Sequence, residues 1–130
     1  HLVFAREDDT LSFLKGQGCN VLLDHDCTFH DRAGIKREIG GCGVLEVFRN
    51  DDEAVRRRTK VPVADRSFPY DHFLKTIASC EELHTDYLHT AIIGTFMGKN
   101  VTLYPGKTNK QKAVWLHSLS NYGCKYEERI

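Results

Sequence analysis

The chain has 130 residues, enough for one domain that buries its own core without disulfide staples. Lysine and arginine number 18 and aspartate and glutamate 18, a formal net charge of zero that argues against a nucleic-acid binder, whose affinity draws on excess positive charge. Cys19, Cys27, Cys42, Cys80 and Cys124 are odd in number and never spaced as CxxC, against a secreted disulfide framework or a zinc site.

The cysteines read as reduced thiols of a cytoplasmic protein. No stretch approaches the roughly 20 apolar residues of a membrane span, and no signal peptide opens the chain. The first residue is His1, without an initiator methionine, so the chain is expected to be part of something longer.

Leu2-Val3-Phe4-Ala5 is a short apolar run, expected to be a strand buried on both faces. Arg6 to Thr10 then supply an acidic first turn, and Leu11 and Leu14 suit a helix ending near Gly16 or Gly18. Residues 20–23 read as a second strand, ending in Asp24-His25-Asp26, and residues 43–48 as a third, ending in Arg49-Asn50-Asp51. The charged segment 52–60, with Arg56-Arg57-Arg58, reads as a solvated linker or frayed helix, followed by an extended piece over 61–64.

Pro69 introduces a helix over 70–79, with Phe73, Leu74 and Ile77 on one face, and a brief strand follows at Leu83-His84-Thr85. Residues 87–97 form the most apolar helix, expected to be buried almost all round and ended by Gly98. A strand over 100–104, a Pro105-Gly106 turn and a last helix over 109–119 complete the chain. Strands alternating with helices predict an α/β, Rossmann-like parallel sheet with helices on both faces.

In such sheets ligands bind beyond the carboxyl ends of the strands. Arg6, Arg49, Lys107 and Lys110 all fall at such ends and point to an anionic ligand. The turn Thr85-Asp86-Tyr87-Leu88-His89 carries the most information. Thr85 or Asp86 is placed to cap the following helix, and His89 lies in its first turn, where free N–H groups favour an anion. A neutral imidazole beside a bound anion is a proton donor or acceptor near neutral pH. Equally, a neighbouring carbonyl could satisfy the same histidine in a purely structural role.

Asp24-His25-Asp26-Cys27 with His30-Asp31 has ligand types that fit zinc but no zinc spacing, and reads as a polar loop, so no metal is expected. Gly40-Gly41-Cys42-Gly43 opens a strand, not a helix, and reads as a flexible turn in place of a dinucleotide fingerprint.

A strand, Thr85-Asp86-Tyr87-Leu88-His89, the buried helix, the strand at 101–104 and Asn109-Lys110 together resemble the pattern of polysaccharide pyruvyl transferases. Phe4-Ala5-Arg6-Glu7 and Phe48-Arg49-Asn50-Asp51-Asp52-Glu53 are similar to further pieces of that family, in the same order. The resemblance implies the C-terminal half of a two-domain protein of glycosyltransferase-B type, whose N-terminal half completes the cleft. It also implies transfer of a pyruvyl group from phosphoenolpyruvate to two hydroxyls of a cell-surface or exopolysaccharide precursor, with no further cofactor.

In that scheme Arg6 neutralises the anionic donor and His89 is the acid or base. Leu88 packs beneath the donor, and Thr85, Asp86, Tyr87, Arg49, Lys107 and Lys110 complete the binding set. One position departs: Tyr87 stands where the family pattern has an arginine, and a phenol lacks the charged two-pronged contact of a guanidinium. Lys107 or Lys110 is the expected substitute. Two alternatives stay open: a glycosyltransferase whose Tyr87 stacks on a sugar nucleotide, and a degenerate binding module without catalysis.

Overall fold

The computed structural model describes residues 1–55 and 69–129. Every strand pair in it is parallel, as the alternation of strands and helices dictates. β1 (Leu2–Ala5) and β2 (Asn20–Leu23) flank helix α1 (Asp8–Gly16) and pair with Ala5 opposite Leu23. β3 (Val44–Val47), β4 (Glu82–Thr85), β5 (Asn100–Leu103) and β6 (Lys125–Tyr126) form a four-stranded sheet in that order. Helices α2 (Tyr70–Ala78), α3 (Leu88–Met97) and α4 (Lys110–His117) lie between its strands in the chain. The architecture is therefore α/β and Rossmann-like, built as two hydrogen-bonded parallel sheets where one was expected.

α3 is the centre of the core. Leu88, Thr90, Ala91, Ile92, Ile93, Gly94, Phe96 and Met97 of its ten residues are buried, as its composition predicts. It packs on β4 and β5, where Leu83 and Leu103 are fully buried. Gly98 stops it in the left-handed conformation at φ 87°, and its N–H donates to the Thr95 carbonyl at 3.0 Å.

Gly94 lets the helix approach the sheet: a Cβ there would lie 2.5 Å from Leu83 Cδ2 and 3.1 Å from Val101 Cγ2. Both neighbours are buried core and have little room to yield. Gly94→Val is expected to lower the unfolding free energy by about 2–3 kcal/mol through overpacking, read as a lower denaturation midpoint at unchanged slope. A loss under about 0.5 kcal/mol, the range of an ordinary surface change, would show that α3 has room to shift.

Several expectations need correction. β1 is not buried on both faces: only Ala5 is buried, and Phe4 is 59% exposed. The apolar run encodes a strand, but among the described residues β2 is its one partner strand and α1 buries none of its own residues. The loop after β2 is a 3-10 helix over Cys27–Gly34, held by Phe29, whose ring meets Phe96 edge-on at 5.1 Å. β6 is an addition; its strand sits beside Trp115, which donates to the Cys124 carbonyl at 2.7 Å.

The last helix ends at His117, and a short 3-10 turn covers Leu119–Tyr122. The expected linker and extended piece fall largely outside the described residues, from 56 onward. Among the described residues no helix is long and apolar enough to cross a membrane.

Candidate functional site

The carboxyl ends of β1 and β2 and the first turn of α3, which follows β4, meet at one buried carboxylate, that of Asp26. It follows β2 and caps the 3-10 helix, accepting from the backbone N–H of Thr28 at 3.1 Å and the Thr28 hydroxyl at 2.9 Å. Its Oδ2 accepts from the Arg6 guanidinium at the end of β1. Its Oδ1 lies 3.3 Å from Nε2 of His89, in the first turn of α3. Asp26 is 1% exposed, while the His89 side chain is 60% exposed. Burial alone raises the Asp26 pKa, yet hydrogen bonds from His89, Thr28 and Arg6 outweigh it and hold the group well below the usual carboxylate range.

This arrangement has a chemical consequence. When neutral, an imidazole that donates Nε2–H to a fixed carboxylate keeps Nδ1 as its acceptor. Asp26 thus orients His89 and selects its tautomer, while the ring's exposure keeps it open to a ligand. Of the expected residues, the structure brings together His89 and Arg6 through Asp26.

Arg49 anchors the end of β3. Its backbone N–H donates to Asp86 Oδ1 at 2.9 Å, and its guanidinium lies 4.8 Å from the centre of the Tyr87 ring. The same guanidinium pairs with Asp51 at 2.9 Å and Glu53 at 2.6 Å. A guanidinium thus reaches the Thr85–His89 turn after all, from Arg49, and covers one face of Tyr87.

Lys110, the exposed first residue of α4, has a lowered pKa, through desolvation first and then the positive charges of Arg6 and Arg49. The carboxylates of Glu53 and Asp26 act on it in the opposite direction. Lys107 instead donates to the Asp52 carbonyl.

Other members of the expected binding set face inward. Thr85 is fully buried; its hydroxyl donates to the Val47 carbonyl at 2.7 Å and accepts from the Tyr87 N–H at 3.0 Å. It shapes the turn and does not cap α3, whose N-cap residue is Tyr87 with no side-chain capping bond. Asp86 is 1% exposed, its carboxyl pushed up by burial, and its carbonyl accepts from Gln111 Nε2 at 3.2 Å. Leu88 belongs to the core cluster. Thr85, Asp86 and Leu88 thus build the wall of the site; their side chains are not offered to a ligand.

Sequence reasoning missed Asp26, Gln111 and Glu7. Asp26-Cys27-Thr28 carried a readable signal, since an aspartate accepting from the N–H two residues on starts a helix-like turn. Glu7 does the same for α1, accepting from the Asp9 N–H at 2.8 Å and the Thr10 N–H at 3.1 Å. Among the described residues, no group of three or more His, Cys, Asp or Glu side chains could hold a metal ion.

No protein-family profile matches the chain, and no curated protein does. Among solved structures, the chain is similar to a functionally uncharacterized protein of Klebsiella pneumoniae subsp. pneumoniae NTUH-K2044, with TM-score 0.69 and 22% identity over 98% of this chain. At that identity the likeness shows the fold alone. The chain spans 55% of that protein's length.

Proposed function

We propose that this domain is part of the active site of a cytoplasmic transferase of the polysaccharide pyruvyl transferase type. Its donor is phosphoenolpyruvate, and its acceptor is a sugar of a cell-surface or exopolysaccharide precursor. The observation that carries the reading is the pairing of His89 and Arg6 on buried Asp26 at the strand ends; Arg49 at the Thr85–His89 turn and Lys110 add positive charge nearby. Cations serve the phosphate and carboxylate of such a donor, and the oriented imidazole serves its proton transfers.

In the reaction the donor's CH2 carbon gains one proton and becomes a methyl group. Two sugar hydroxyls bond to the adjacent carbon, and phosphate leaves. The hydroxyls release two protons; one balances the methyl and the other departs with phosphate. His89 is the group placed to carry a proton between these sites. Arg49, stacked on Tyr87, supplies the guanidinium that the turn itself lacks. Its pairing with exposed Asp51 and Glu53 means a bound anion displaces at least one of them.

The test is phosphate release from phosphoenolpyruvate with glycoside acceptors. His89→Ala is expected to slow it about 10²–10⁴-fold, the usual worth of a positioned acid–base group, with only a modest loss of thermal stability, because Arg6 and Thr28 still hold the buried Asp26 carboxylate. Turnover equal to the parent's removes His89 from this role.

A further inference from the structure

A cleft of about 460 Å3 opens at the carboxyl ends of β1 and β2, lined by Phe4, Arg6, Thr10, Asp24, Asp26 and His30 among others. It shares Arg6 and Asp26 with the His89 site but does not include His89 itself. Its volume suits a small ligand. We infer that this cleft binds a neutral pyranose, the sugar acceptor, with an apolar sugar face on the Phe4 ring and a vicinal pair of hydroxyls on Asp24 and His30.

Charge separates this cleft from a donor site. Arg6 supplies one positive charge, already paired with buried Asp26, and Asp24 adds a second carboxylate. The His25 backbone N–H, donating at 2.7 Å, holds Asp24 below the ordinary carboxylate range. Apart from its histidines the lining is net negative, which disfavours a multiply charged anion inside the cleft; Arg6, at the border the two sites share, serves the donor from the side of Lys110. The α1 N-terminus offers an anion no N–H groups at Asp9 and Thr10, since the Glu7 carboxylate accepts from both.

What remains suits a polyol. Asp24 Oδ2 lies 3.4 Å from His30 Nε2, an exposed acceptor beside a ring that donates or accepts. Phe4 presents an aromatic ring, 59% exposed, at the rim. Binding of the sugar does not depend on the transferase reading; its fate as acceptor does.

Saturation-transfer NMR on the 130-residue chain tests this with methyl glycosides of galactose, glucose, mannose and N-acetylglucosamine, beside phosphoenolpyruvate and ethanolamine. The expected result is transfer to at least one glycoside, with affinity about tenfold weaker in Phe4→Ala and in Asp24→Asn and phosphoenolpyruvate binding unchanged. Both substitutions are at solvent-facing side chains, and circular dichroism confirms that the variants fold. Glycoside binding that ignores both variants places the sugar elsewhere and overturns the inference. So does silence from every glycoside, a response to ethanolamine alone, or loss of phosphoenolpyruvate binding in Asp24→Asn. Glycoside binding with no phosphoenolpyruvate binding upholds the cleft and defeats the pyruvyl reading.

Discussion

Replacing Asp26 with asparagine is expected to lower the unfolding free energy by about 3 kcal/mol near neutral pH, the scale for breaking a buried charged pair. The carboxylate is 1% exposed and meets only donors: the Arg6 guanidinium, the N–H and hydroxyl of Thr28, and His89. An amide in that place turns an NH2 group against one of these donors and leaves the Arg6 charge unpaired. The folded pKa of Asp26 lies below its unfolded value of about 3.9. A depressed carboxylate contributes stability that is complete above the unfolded pKa and is lost as pH falls through the folded one. The gap between parent and Asp26→Asn is therefore expected to close as pH drops below about 4. Denaturant titrations down through the acid range measure it, and a constant gap would mean that charge is not its source.

The same substitution separates positioning from mere structure. If Asp26 selects the His89 tautomer, Asp26→Asn slows phosphate release about 10²-fold or more at temperatures where the variant is still folded. The pH profile of kcat should change as well, because the proton carrier has lost its oriented partner. A stability loss with kcat and its profile intact would leave Asp26 a structural residue alone.

Much of this architecture can be read from the chain, and the exceptions are physical. Residues 20–23 and 100–103 announce themselves as strands because short apolar runs sit between glycines and polar clusters. α3 is legible because eight of its ten residues are buried and its composition is apolar all round. The exposure of β1 is not legible, since an apolar run predicts a strand without saying how many neighbours cover it. Nor is β6, whose two residues, Lys125 and Tyr126, carry no pattern.

At the candidate site, alternation along the chain cannot tell which residues of the turn from Thr85 to His89 face inward. Thr85, Asp86 and Leu88 do. Asp26 stood in a segment dismissed as polar loop because its partners, Arg6 and His89, come from β1's end and from α3, far away in sequence.

Lys99 shows the same limit, and its removal is the other large effect expected. A lysine between a helix-ending glycine and a strand reads as surface, but this side chain is only 8% exposed. Its Nζ donates to the carbonyls of Glu38 at 2.7 Å, Gly40 at 2.8 Å and Ala78 at 2.7 Å. All three donors of the ammonium are thereby matched to acceptors that β-sheet and helix bonding leave over. The contact ties the glycine-rich segment before β3 to the end of α2. Lys99→Met keeps the apolar stem but orphans three carbonyls, and charged hydrogen bonds of this kind are worth about 1.5–3 kcal/mol each before relaxation and water entry. A net loss of about 3–4 kcal/mol is expected, with Lys36→Met, at an 86% exposed side chain, changing stability by no more than about 0.5 kcal/mol.

The local signature is distinct from global unfolding. The Glu38 N–H, bonded to the Met97 carbonyl at 3.0 Å, and the Cys42 N–H, bonded to that of Ser79 at 3.0 Å, are expected to exchange with solvent faster than amides of α3 in the variant. Exchange that quickens equally everywhere would assign Lys99 to global stability and not to pinning this segment.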